Sequence, residues 1–432
     1  MVLINLTKKS NSFKFLLMLL FMSGINIFSV VRADDNIKIS SPSSILDPDL
    51  AVLQWNYTAN DDFRDVTISA DGGLVAASTY SDDGLIYLFN DTASESKIPL
   101  WTYNVSNSVY GVDITPDGNH IAAGSDEKNV MYFNDSVTYP KMPEWEFSPT
   151  SGYPNDVAIS ADGNYIVVGT DDGTVYLFNS TFNNPKAEMW SFSTGENVWS
   201  VSISADGNYI AVASTDNHLY VFNKTSSTPL WNYTEGAHVN AAEISDDGNF
   251  LVAGTQNSKV MLFNISSNVP IWIYTTGDSV YSVAINSNGN YMAAGGNDNT
   301  TYFFERSSSI PLWNYTTGAR IGDSEHPHCI DISANGEYLA VGSGDHRIYV
   351  FETSSGIPLW NYTTGGIIYA VAMSANGAYI TTGGDDQQIY LFFQDLSTTS
   401  PAAISFGYWF ILFALPTYVA LIFIRRKSYK NK

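Results

Sequence analysis

A tryptophan returns eight times along this chain, at Trp55, Trp101, Trp145, Trp190, Trp231, Trp272, Trp313 and Trp360, at intervals of 41 to 47 residues. Each opens a copy of the same short sequence, clearest as PLWNYTTG at 311–318. Sixteen residues after the tryptophan, in six of the eight copies, stands an Asp-Gly or Asn-Gly pair; Asp162-Gly163 follows after 17 and Asn335-Gly336 after 22. Self-similarity at such a period is the mark of a repeat architecture in which neighbouring units share their cores.

One copy, 270–304, reads as four strands. An apolar, aromatic run at 271–274 is followed by a β-branched run at 280–285, a tight turn at Asn288-Gly289, a third strand at 291–294 and a fourth at 301–304. The predicted fold is therefore all-β, an eight-bladed β-propeller of four-stranded antiparallel blades. The repeats begin with a lone tryptophan strand at 52–57 and end with three strands at 369–393. The N-terminal strand is expected to complete the last blade from outside, closing the ring and removing its free edge. Seven blades with a stray unit is the alternative. With inner strands starting at an upper face, the third strand ending at Phe393 is expected to reach the lower face, opposite the Trp199 loop.

The stretch VSISADGNYIAVASTDNHLYVFN at 201–223 resembles a WD-repeat blade, and PLWNYTTG is similar to the tryptophan motif of quinoprotein (PQQ-type) propellers. The resemblance covers about 51–393. Blade ends read Phe-Asn (Phe89-Asn90, Phe178-Asn179, Phe222-Asn223) where the WD family has Trp-Asp, and the Gly-His pair of that family is missing. A quinoprotein dehydrogenase would imply paired adjacent cysteines, whereas Cys329 is the single cysteine. The resemblance thus brings no catalytic residue and no cofactor.

The ends read differently from the repeats. Residues 1–33 have a basic start (Lys8, Lys9, Lys14), an uncharged apolar run and small residues at Val31-Arg32-Ala33, the pattern of a secretory signal cleaved after Ala33 or retained as an anchor. After an N-terminal segment (34–50) and the repeats comes a linker at 394–403, then 21 uncharged residues at 404–424. As a helix that stretch measures about 31 Å at about 1.5 Å per residue, enough to span a bilayer; a buried core helix is the alternative. Arg425, Arg426, Lys427, Lys430 and Lys432 follow in the tail, 425–432, and basic residues stay on the cytoplasmic side. The expectation is a single-pass membrane protein with an extracellular propeller and a cytoplasmic C-terminus. Between the two ends, 11 basic residues face 43 acidic ones, a net charge of −32. That excludes nucleic acid as a partner and disfavours an anionic lipid surface.

A variable position stands two residues before the Val-x-Ile pattern of each inner strand: Arg64, Tyr110, Asn155, Trp199, Asn240, Tyr281, His328 and Tyr369. These eight are expected to surround the upper mouth of the channel, where aromatic faces and polar tips suit a protein or glycan, or else plug it. The loop before the seventh inner strand is six residues longer and carries His326, His328 and Cys329, whose spacing matches no zinc signature; a surface loop over the top is expected. The acidic pairs Asp82-Asp83, Asp171-Asp172 and Asp385-Asp386 read as turn chemistry. Asp113, Glu243 and Asp331 on inner strands are the carboxylates an enzyme would use, or simply channel lining. Eleven Asn-x-Ser/Thr sites are glycosylation candidates: Asn56, Asn90, Asn104, Asn134, Asn179, Asn223, Asn232, Asn264, Asn299, Asn314 and Asn361. The expected function is a non-enzymatic cell-surface binding scaffold without metal or cofactor. The alternatives are a propeller enzyme (a lactonase-like hydrolase or a quinoprotein-type redox protein) and a structural envelope component.

Overall fold

The turn between the first and second strands of each copy shows why its motif repeats. In the first copy the Ser69 hydroxyl donates to Asp71 Oδ1 (2.8 Å) and accepts from the Leu74 N–H, while the Gly73 N–H also donates to Asp71 Oδ1. Gly72 sits at φ +79°, in the left-handed region that glycine enters at no steric cost. A Cβ there would fall 2.2 Å from Tyr379 Cδ2, a ring from the neighbouring blade. The same meeting recurs between Gly289 and Phe250. Turn conformation and blade packing select the same residue.

The computed structural model describes residues 51–398 except 81–83, 95, 128, 135–140, 182–185 and 324–325, and separately a two-stranded antiparallel hairpin of Phe15–Met22 and Ile25–Arg32. The hairpin lies in a unit of its own, Met1–Ile45, within the segment read as a signal. The apolar stretch 404–424 lies outside the described residues, among which no helix is long and apolar enough to cross a membrane.

Eight four-stranded antiparallel sheets follow one another, each in simple up-and-down order. Blade 1 consists of Asp62–Ile68, Leu74–Tyr80, Leu85–Asn90 and Trp101–Asn104. Blades 2 to 7 have inner strands Val109–Ile114, Pro154–Ile159, Val198–Ile203, Val239–Ile244, Val280–Ile285 and Ile330–Ile332. Blade 8 takes Ile368–Met373, Tyr379–Gly384 and Gln388–Gln394 from one end of the repeats and Ala51–Thr58 from the other, with Trp55 opposite Leu391. Inner strands of successive blades adjoin all the way round, blade 8 meeting blade 1, so the ring closes as expected.

No blade has a core of its own. The apolar side chains form eight clusters, one at each blade interface and each drawn from two blades. The recurring tryptophan is the outer member of each. From the outermost strand of one blade it packs on the phenylalanine near the end of the next blade's third strand, with ring centroids 5.1 to 5.6 Å apart. In five copies its indole N–H donates to a backbone carbonyl just beyond that strand, for example Trp231 to Ile265 O (2.7 Å) and Trp313 to Thr353 O (2.8 Å). Trp360 donates instead to Gln394 Oε1 (2.8 Å). Trp55, at the closing interface, leaves its Nε1 buried without an acceptor, with the Lys97 ammonium 4.7 Å from the ring centroid.

Third strands run parallel to inner strands, so the chain ends blade 8 on the face opposite the Trp199 loop. Gln394, expected to open a linker, belongs to the propeller. It is buried, continues the strand opposite Ala51, and donates to Gly377 O (2.6 Å) while accepting from Trp360. The described chain ends in a single turn, Leu396–Thr398.

Trp360→Ala, which empties a site 4% exposed, is expected to cost about 3–5 kcal/mol in denaturant unfolding. Trp360→Phe keeps the ring but orphans Gln394 Oε1 and is expected to cost about 1–3 kcal/mol. Equal stability of both variants and wild type would remove the tryptophan from its sealing role.

Candidate functional site in the central channel

The variable position owes its freedom to a backbone irregularity. In seven blades the pairing of inner and second strands slips by one residue, and the extra residue is Arg64, Tyr110, Asn155, Trp199, Asn240, Tyr281 or Tyr369. A bulge takes that residue out of the strand's alternation and re-aims its side chain. In blade 7 the inner strand is shortened to Ile330–Ile332, and His328 holds the equivalent place.

These residues are at most half-exposed, and the long loop of blade 7 draws them together. The loop was expected to decorate the surface; instead it folds inward. His326 is buried, stacks on Tyr369 with centroids 3.9 Å apart, and meets Asp323 through Nδ1 (2.7 Å) and Arg64 Nη1 through Nε2 (3.1 Å). Arg64 in turn lies over the rings of Tyr110 (4.6 Å) and Tyr80 (5.4 Å). Arg64, Tyr110, Asn155, His328 and Tyr369 thus converge with His326 and Pro327 on one small cleft. Trp199, Asn240 and Tyr281 do not line it. Asn240 is buried and ties its blade to the next through Val280 O (2.8 Å); Asn155 does the same through Asn197 Oδ1 (2.7 Å) and Val198 O (3.1 Å). The upper mouth is therefore plugged on one side. Cys329 is buried, donates to Tyr369 O (3.2 Å), and burial pushes its thiol pKa up. Both His326 nitrogens and the Cys329 sulfur are thus engaged within the chain.

Below the plug lies a cavity of about 380 Å³, bounded above by Pro327 and His328 and below by Pro116, Ala161, Ala205 and Asp246 of the lower turns. Its carboxylates have a common task. Asp113 accepts from the Ile114 N–H (2.8 Å) with one oxygen and from the Ile159 N–H of blade 3 (2.9 Å) with the other. Asp331 likewise joins the Ile332 N–H to that of Met373 in blade 8. Asp65 bridges to Val112 (3.0 Å) and Asp156 to Val201 (2.8 Å). Glu243 reaches the Ile285 N–H, and Ser202 accepts from Ile244. Side chains pointing into the channel thus staple six of the eight blade interfaces. Asp65 and Asp156 were missed from sequence, although both directly follow a bulge residue, as Arg64-Asp65 and Asn155-Asp156.

Placing Asp113, Asp156, Glu243 and Asp331 away from water raises their pKa values against the pull of the donated N–H groups. Burial pushes Asp113 and Asp331 up to about 7 and Asp156 up to about 6, the last partly offset by His328. Glu243 is also raised, by burial first and then by Asp331. The one imidazole beside them is His328, with 40% of its side chain open to the cavity. Its Nδ1 lies 3.3 Å from Asp65 and its Nε2 3.7 Å from Asp156, so blade 7 is tied across the channel to blades 1 and 3. Burial lowers its pKa, but Asp156, Asp65 and Asp113 outweigh that and hold it at about 10.

The acidic pairs of the second turns are occupied by the chain itself. Asp386 accepts from the Gly365 N–H and the Tyr390 hydroxyl, Asp385 from the Ile367 N–H, and Asp172 from Ser151, Thr170 and Thr174. Asp82-Asp83 lies outside the described residues. None of the eleven glycosylation candidates is buried. Asn56, Asn232, Asn314 and Asn361 lie on outermost strands, and Asn104 ends one. Asn90, Asn134, Asn179, Asn223 and Asn264 close third strands, and Asn299 is in a turn at φ +60°.

Comparison with known proteins agrees with this geometry. The family model described as outer membrane protein assembly factor BamB matches residues 144–318 and 182–365, which together span just over half of the chain. The WD domain, G-beta repeat, matches 97–134 and 357–392. No curated protein matches. Among solved structures, Chaetomium thermophilum Sqt1 bound to the N-terminus of the ribosomal protein L10 superposes with a TM-score of 0.67 at 18% identity, over 78% of this chain and 97% of that one. That likeness shows the fold.

The raised carboxyl pKa values set a pH dependence. Folded Asp113, Asp156 and Asp331 hold their protons more tightly than unfolded ones, so their contribution is complete below about pH 4 and is lost as pH rises through 6 to 7. His328, also raised, contributes fully below about pH 6.5 and loses this as pH approaches 10. The melting temperature is expected to fall from pH 5 to pH 8 and again toward pH 10. Asp331→Asn should flatten the first step and His328→Gln the second; a melting temperature that rises over pH 5 to 8 contradicts the assignment.

Proposed function

Because the chain belongs to the WD-repeat and PQQ-type β-propeller superfamily, we propose that it is a non-enzymatic binding scaffold. In this reading it is held at the cell surface by the span at 404–424 and turns its upper face outward toward a protein or carbohydrate. The observation that carries it is the inward-folded loop of blade 7. Where a propeller enzyme would admit substrate past Arg64, Tyr110 and Tyr369, the stacked rings of His326 and Tyr369 fill that side of the mouth. The channel carboxylates support the same reading, since their oxygens are taken by blade-to-blade hydrogen bonds. The lower-face exit of the chain after Gln394 and the basic residues beyond 404–424 support that orientation.

Sqt1, a solved structure of the same fold, is bound to the N-terminus of the ribosomal protein L10. The residues carrying recognition here are Trp199 and Tyr281, which stand at the upper rim outside the plugged cleft and combine aromatic area with a polar tip. The partner class is an extracellular protein segment or a glycan.

The full chain in detergent, screened against glycan and cell-envelope protein arrays, is expected to lose binding at least ten-fold on Trp199→Ala with Tyr281→Ala. Unchanged binding moves the site to the blade rims, and turnover of a lactone or redox substrate revives the enzyme. Extracellular placement has its own measurement: protein from a glycosylating host is expected to lose mass on treatment with an N-glycosidase, and an unshifted mass speaks against it.

A further inference from the structure

One series of apolar side chains faces outward at the same step of every repeat. Three residues before the tryptophan, where each third strand turns into the outermost one, the chain exposes an aliphatic residue in most blades. In blades 6, 7 and 8 these are Ile310 (75% exposed), Ile357 (75%) and Val52 (53%), with Leu312 (52%) beside the first. All lie on the lower rim, since third strands end there. Single exposed apolar residues are ordinary, but a series at one register on one face marks a contact surface.

A second pattern divides that rim. In blades 1 to 5 the third strand closes on a glycosylation candidate: Asn90, Asn134, Asn179, Asn223 and Asn264. In blades 6, 7 and 8 it closes on Glu305, Glu352 and Gln394. These three blades carry four candidates: Asn299 in the upper turn between the second and third strands of blade 6, and Asn314, Asn361 and Asn56, each four residues beyond the rim aliphatic, roughly 13 Å up the outer wall at about 3.3 Å per residue. Ile98, Met142 and Val269 continue the apolar series in blades 1, 2 and 5, but only in blades 6 to 8 does no glycosylation candidate stand at the strand end beside it.

The chain leaves from this sector. Its last described residue, Thr398, follows the third strand of blade 8, and five residues separate it from the uncharged stretch that begins at 404. Five residues reach at most about 18 Å. Whatever holds 404–424 must therefore lie close beneath blade 8, at one end of this sector. We propose that this sector of the lower rim, Ile310, Leu312, Ile357 and Val52, rests on the outer leaflet of the bilayer, so that the propeller leans on the membrane by blades 6 to 8 and lifts the glycan-bearing blades away. The proposal rests on the membrane-anchored reading above. The occupant is a zwitterionic lipid surface, because Glu305 and Glu352 sit on the same rim and the propeller's charge disfavours anionic lipid. Insertion of short aliphatic side chains at the interface needs no positive charge and stabilises one tilt among many.

The test uses the full chain reconstituted in phosphatidylcholine vesicles. Cys329 is buried, so a thiol-directed environment-sensitive dye goes to introduced cysteines. Labels are placed at Ile310→Cys and Ile357→Cys, at Met142→Cys on the opposite side of the same rim, and at Gln256→Cys on the upper face. Brominated phosphatidylcholine is expected to quench the first two at least three-fold more strongly than the last two. Equal quenching at all four positions, in a chain that resists alkaline carbonate extraction, overturns the leaning contact and leaves the anchor standing. Release of the chain by carbonate overturns the anchored reading itself. Self-quenching of the Ile310→Cys label that grows with the protein-to-lipid ratio means that a second copy covers the sector, and overturns the lipid contact.

Discussion

The structure depends on one clasp made eight times: an indole from the outer strand of one blade lying on a phenylalanine of the next. The clasp matters because no blade owns a core. Each apolar cluster is half one blade and half its neighbour, so a sheet removed from the ring would expose both of its faces. In six copies the indole N–H is also satisfied by the next blade, which fixes the ring's orientation as well as its depth. The interface that the chain ends must close is the exception. There the Trp55 N–H finds no acceptor, and closure relies on the seven-residue pairing of Ala51–Thr58 with Gln388–Gln394.

At the inner edge of the same interfaces the joint is polar rather than apolar. Carboxylates of Asp65, Asp113, Asp156 and Asp331 each hold an N–H of their own strand and one of the next blade. Gathering acids in one channel is costly, and the raised pKa values record the cost. The imidazolium of His328 offsets part of it between Asp65 and Asp156. The blade 7 loop thus brings two things to the channel: the charge of His328 between Asp65 and Asp156, and the ring of His326 stacked on Tyr369.

How much of this was legible in sequence depends on the range over which each signal acts. Blade number, strand order and ring closure follow from the period and from the unequal ends of the repeats. The Ser-x-Asp-Gly turn is a local hydrogen-bonding pattern and reads directly. The tryptophan's sealing role follows from its size and position, but its acceptor 34, 35 or 40 residues onward does not, because the carbonyls it uses belong to Ser180, Lys224, Ile265, Arg306 and Thr353, which have no one side-chain type in common. The mouth position was found as a variable column, whereas the bulge that makes it variable lies in the pairing of two strands. The inward fold of the 319–329 loop was missed because nothing local distinguishes a loop that covers a channel from one that leaves it open. Its direction is decided by Arg64 and Tyr369, which come from blades 1 and 8.

By itself the sequence determined an eightfold β repeat that closes by its own N-terminal strand, a face on which the chain departs, and a strongly acidic repeat region. Those properties are periodic or compositional and survive without coordinates. Only the tertiary structure decided which polar residues are available. Asp113, Glu243 and Asp331 look alike as free acids in a channel and as blade staples until their oxygens are assigned. His326 and Cys329 look like ligands until their partners appear. The lower rim divides into a sector with glycosylation candidates at its strand ends and one without them only when the repeats are bent into a ring. Availability is a matter of which donors and rings come within reach through space, and in a propeller those come from the next blade, some forty residues away, or from across the channel, as Asp65 does to His328.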